Sequence, residues 1–135
     1  MVGSAAHGHG RCHNRLAGED FMIDERVKEL VCILNKFKGI ETFSSCGGHA
    51  NPKPSQIGRG RFYVDFWVDP NKTGFGSLEK INQLVSNIFP TVRIIVGDVG
   101  GIEEDDEPCM CFEIQGRANP GMIALALQDR LRENK

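Results

Sequence analysis

The chain has no apolar run near the roughly 18 residues that a membrane span needs, so no membrane partner is expected. Its first twenty residues lack the apolar core of a secretory signal. A cytoplasmic protein is the expectation. Positive charge is not in excess: 16 Lys and Arg face 18 Asp and Glu, for a formal net charge of −2. No overall basic field recruits nucleic acid or acidic lipid, and only a local basic patch is left open. Tryptophan and tyrosine are scarce, one of each. Trp67 and Tyr63 fall on one face of one strand, where they offer a weak platform for stacking an RNA base.

Cysteine is present in an odd number: Cys12, Cys32, Cys46, Cys109 and Cys111. An odd count without a secretory signal reads as reduced thiols. Cys32 lies among apolar residues of a predicted helix and reads as a small core side chain.

What is present fits one globular domain: 135 residues, 40% hydrophobic and 25% charged. Residues 1–18 are rich in Gly, Ala and His without periodicity and read as a flexible N-terminal arm. Residues 19–135 read as a single α+β domain. Val27, Leu30, Val31, Leu34 and Phe37 recur at helical spacing, with Asp24 as a cap and Gly39 after the end. The stretch "GIETFSS" reads as a strand, followed by a long loop over 47–60. "RFYVDFWVD" alternates, with Phe62, Val64, Phe66 and Val68 on one face and Tyr63, Asp65 and Trp67 on the other. Ser77 is placed as the cap of a second helix carrying Leu78, Ile81, Leu84, Val85 and Ile88, stopped by Pro90.

"TVRIIVGDV" and "PCMCFEIQG" are two further strands, joined by the acidic stretch "GGIEEDDE". In the last strand Met110, Phe112 and Ile114 take the core phase, and Cys109, Cys111 and Glu113 the other. Asn119 and Pro120 open a final helix through Ile123, Leu127 and Leu131. The order is one helix and then two strand-strand-helix units. It predicts an α+β two-layer sandwich, with helices on one face of a mainly antiparallel sheet.

Chemistry concentrates in "SSCGGH", residues 44–49. One reading is a turn in which Gly47 and Gly48 allow positive φ and the serines satisfy backbone groups. The other is a binding site for a small or anionic ligand. Gly47 and Gly48 would expose backbone N–H groups, Ser44 and Ser45 would add hydroxyls, and His49 would donate a hydrogen bond or move a proton. Lys53, Arg59 and Arg61 in or beside the long loop would form a basic rim suited to phosphate or carboxylate. Cys46 and His49 are candidate catalytic residues as a nucleophile and base, for which the sequence offers only Asp65 as an orienting group. Cys46 and His49 are also candidate zinc ligands, completed by Cys109 and Cys111 if the strands bring them together. A second tract, His7, His9, Cys12 and His13, has residue types that bind zinc or nickel. The acidic stretch lacks alternating ligand spacing and reads as a solvated loop. An exposed outer sheet face would also suit a homodimer.

The segment "VKELVCILNKFKGIETFSSCGGH" resembles the opening of the tRNA wybutosine-synthesising protein 3 family, where a helix leads into a strand ending in a Ser-Ser-Cys-Ser-Gly-Arg type motif. Ser44, Ser45, Cys46 and Gly48 match that motif, while Gly47 and His49 depart from it. The segment is also similar to small bacterial and phage proteins with a Ser-Cys-x-Gly-His motif. The first resemblance implies methyl transfer from S-adenosylmethionine to a tRNA guanosine, with ligand contacts at Ser44, Ser45, Cys46 and Gly48.

Overall fold

A computed structural model describes residues 25–48, 58–100 and 109–133. The expectations for the arm, Asp24, His49, Lys53 and the acidic stretch lie outside these residues. A 3₁₀ turn, Glu25–Val27, leads into helix α1, Lys28–Leu34. Strand β1 is Ile40–Cys46 and β2 is Phe62–Val68. Helix α2 is Lys72–Ile88, β3 is Val92–Gly100, β4 is Cys109–Gly116 and α3 is Pro120–Glu133. The four strands form one antiparallel sheet in the order β1-β2-β4-β3.

The α+β sandwich follows from the alternation in the central strands. Phe62, Val64, Phe66 and Val68 on β2, with Phe112 and Ile114 on β4, turn to the helices and are buried. They meet Leu30, Val31 and Leu34 of α1, Ile81 and Val85 of α2, and Ile123 and Leu127 of α3 in one core. Burying each large apolar side chain contributes about 1.5–3 kcal/mol. Helix α1 presents Leu30, Val31, Ile33 and Leu34 inward. Cys32 points away and is exposed, which corrects its reading as a core residue. The helix is also shorter than its apolar spacing suggests. The Asn35 side chain accepts from the Thr42 N–H at 2.8 Å and donates to the Thr42 hydroxyl at 2.9 Å, fixing the turn into β1.

Helix α2 starts five residues before the expected Ser77. Asn71 is the cap, and its side chain accepts from the Gly74 N–H at 2.9 Å. Gly74 is poor helix-forming material, but the packing demands it. A Cβ there would lie 2.1 Å from the Asp69 carbonyl oxygen. Gly39, at φ 83°, meets Gly74 from the other side, where its own Cβ would sit 2.8 Å from the Gly74 Cα. Ser77 lies one turn inside the helix, where its hydroxyl donates to the Lys38 carbonyl at 2.6 Å. These contacts clamp the α1–β1 turn onto the first turns of α2.

Both outer strands are irregular. The β1–β2 register shifts between Thr42 and Ser44, and the β3–β4 register shifts between Val96 and Asp98. In β1 the extra residue is Phe43, which stacks on Trp67 with ring centroids 4.6 Å apart.

Candidate functional site in the outer face of the sheet

Antiparallel register places directly paired residues on the same face. Ser44 pairs with Asp65, and Asp65 pairs with Glu113. One row further, Cys46 pairs with Tyr63, and Tyr63 with Gln115. The result is a polar cluster from three strands on the face opposite the helices. Ser44, Tyr63, Asp65, Glu113 and Gln115 are half-buried, and Cys46 is buried with a free thiol.

The two carboxyl groups dominate its electrostatics. Burial, then a hydrogen bond to Glu113, then the Glu113 charge push the Asp65 carboxyl up from 3.8 to about 8. A carboxyl in that state keeps its proton at neutral pH and donates it to Glu113. Gln115 Nε2 donates to the same Glu113 carboxylate at 2.5 Å. Burial pushes the Tyr63 phenol up. A hydrogen bond with Ser44 opposes that rise, and Cys46, Asp65 and Glu113 add to it.

The far end of the same face is closed. Trp67 and Cys111 pair across β2 and β4 and are 1% and 6% exposed, and Cys109 is 0% exposed. Trp67 is therefore not a platform for an RNA base. Cys109 is disulfide-bonded, which corrects the expectation of reduced thiols throughout. Cys32 and Cys46 are free thiols.

The glycines of "SSCGGH" have packing roles. A Cβ on Gly47 would fall 2.4 Å from the Arg26 Cβ. Gly48 has φ 94°, and a Cβ there would lie 2.5 Å from the Arg61 carbonyl oxygen. Arg26 in turn donates to the Gly48 carbonyl. The pair thus seats the 3₁₀ turn and the 58–61 segment against the end of β1.

The expected site residues separate under this geometry. The strand runs through to Cys46, so Ser44 and Ser45 point to opposite faces. Ser44 joins the polar cluster, whereas Ser45 pairs with Val64 of the core face. Arg59 and Arg61 are exposed just before β2. The four-ligand zinc arrangement is not assembled. Cys46 lies in the row of Gln115 and Cys111 in the row of Trp67, four residues apart along β4, or about 13 Å. Among the described residues no group of three His, Cys, Asp or Glu side chains is placed to hold a metal. His49, the proposed partner of Cys46, lies outside the described residues.

Glu113 was the residue that sequence reasoning missed as a site component. Its phase was legible, but its pairing with Asp65 depends on register between strands more than forty residues apart. Family models, curated proteins and solved structures give no match to this chain. No described helix is long and apolar enough to cross a membrane.

Proposed function

We propose that the outer sheet face binds a small polar molecule, held by Ser44, Tyr63, Asp65 and Glu113. The observation that carries this reading is the Asp65–Glu113 carboxyl pair at the centre of the sheet. Two carboxyl groups held this close are unfavourable unless they share a proton or meet a donor. A structural role alone is met more cheaply by apolar or amide side chains. The pair also selects the ligand's chemistry. It accepts hydrogen bonds and repels anions, so the ligand is neutral or cationic and presents N–H or O–H groups. The anionic ligand expected at "SSCGGH" does not suit this part of the strand.

Asp65 supplies a proton at neutral pH, and Ser44 and Tyr63 supply hydroxyls that donate or accept. The buried Trp67–Cys111 end bounds the site on one side. This reading is of a binding domain, with Asp65 as an acid available to whatever is bound.

The test is chemical-shift mapping of the full chain with a panel of polyols, alkylamines, nucleosides and S-adenosylmethionine. The expected result is a set of shifts at residues 44, 63, 65 and 113 that Glu113→Gln abolishes. For an amine, binding should tighten between pH 6 and 9 as Asp65 releases its proton. Shifts confined to other surfaces, or binding unchanged in Glu113→Gln, would overturn the reading. S-adenosylmethionine acting at this site would instead support the relationship to tRNA methyl transfer.

A further inference from the structure

The helix-covered side carries a cleft, independent of the outer sheet face. It encloses about 570 Å³ and opens between the α1–β1 turn, the first turns of α2 and the end of α3. Lys36, Lys38, Lys72 and Lys80 line it, and among the described residues no acidic side chain does. None of these four ammonium groups has an ion-pair partner among the described residues. Four unbalanced positive charges in one concavity are unexpected on a chain of net charge −2. They repel one another unless an anion enters.

The backbone adds to the same field. Helix α2 has no acidic residue in its first turn, where one is favoured, and starts on Lys72 instead. The Gly39–Gly74 contact and the Ser77 hydroxyl on the Lys38 carbonyl hold Lys38 across from this helix start. The cleft is therefore fixed by packing rather than by mobile side chains alone. Its interior is not wholly polar. Buried Phe37 and half-buried Leu131 supply an apolar wall. A Cβ added to Gly76 would meet nothing within 4 Å, so that side of the helix is not packed against protein. The volume suits a small organic molecule and exceeds what a single inorganic phosphate fills.

We propose that this cleft binds a phosphorylated small molecule of nucleotide size. The four lysines take its phosphates, and the Phe37–Leu131 wall takes its apolar part. Lysine serves here as a compact point charge for phosphate oxygens.

The test is calorimetric titration of the full chain at low ionic strength with inorganic phosphate, tripolyphosphate, ATP without metal, and a single-stranded RNA oligonucleotide. Three variants accompany it: Lys72→Gln with Lys80→Gln, Lys72→Arg with Lys80→Arg, and Lys28→Gln. Lys28 is exposed, outside the cleft and paired with Glu25 at 3.9 Å. The expected result is ATP binding tighter than tripolyphosphate, weakened at least tenfold by the double Gln change. The double Arg variant should retain it and Lys28→Gln should not alter it. Binding should weaken steeply with salt. No ATP binding, or equal binding in the double Gln variant with its melting temperature unchanged, would overturn the proposal. Tripolyphosphate binding as tightly as ATP would remove the role of the apolar wall. RNA binding tighter than ATP and lost in the same double Gln variant would replace the small molecule with nucleic acid. Failure here leaves the outer-face site untouched, because Glu113→Gln tests that site separately.

Discussion

Asp65→Asn tests the electrostatics of the sheet centre directly. An unfolded aspartate has released its proton above pH 3.8, whereas the folded carboxyl holds its proton up to about 8. Between those values the folded state binds more protons than the unfolded chain, so stability falls as pH rises. At about 1.4 kcal/mol per tenfold change in proton affinity, a fully desolvated group would contribute about 6 kcal/mol over this span. Asp65 is only partly buried, and water screening reduces the expected effect to about 2 kcal/mol. Asparagine keeps the shape, carries no charge and still donates to Glu113. Urea denaturation at pH 4.5 and pH 8 measures the difference. The variant should match the wild type at pH 4.5 and exceed it by about 2 kcal/mol at pH 8. A wild-type-minus-variant difference that stays constant with pH would refute the raised Asp65 carboxyl.

Other outcomes follow from the same geometry. Gly48→Ala forces a Cβ onto the Arg61 carbonyl at positive φ and should cost about 2–3 kcal/mol in denaturant unfolding. Gly76→Ala meets only open space inside a helix and should stabilise by about 0.5–1 kcal/mol in the same assay. Asn71→Ala removes the α2 cap and should cost about 1 kcal/mol. Thiol titration of the native protein should lose one fast-reacting equivalent in Cys32→Ser, and none in Cys46→Ser, whose thiol is buried.

The legible parts of this fold were those written in local periods. The alternation of β2 put Phe62, Val64, Phe66 and Val68 in the core, and Tyr63, Asp65 and Trp67 opposite, as their residue types suggested. Helix interiors were equally readable from spacing. The start of α2 was not, because Gly74 and Gly76 argue against a helix until Asp69 and Gly39 are seen pressed against it. The geometry of "SSCGGH" was hidden for a related reason. A strand continuing to Cys46 sends its two serines apart, and its glycines are packed against Arg26 and the Arg61 carbonyl. The carboxyl pair was invisible because no local pattern reports the register between β2 and β4. The lysine cleft draws on three segments that only the folded chain brings together.

The two bulged borders of the sheet bear on how copies of this chain meet. β1 and β3 are the edges, and each breaks its register partway along. A further strand cannot extend either ladder without matching that break, so both edges are poor templates for growth. This matters most at β3, where Ile95 and Val96 are exposed beside the break. A regular strand there would be an adhesive apolar rim. The irregularity allows these residues to stay at the surface while opposing edge-to-edge assembly.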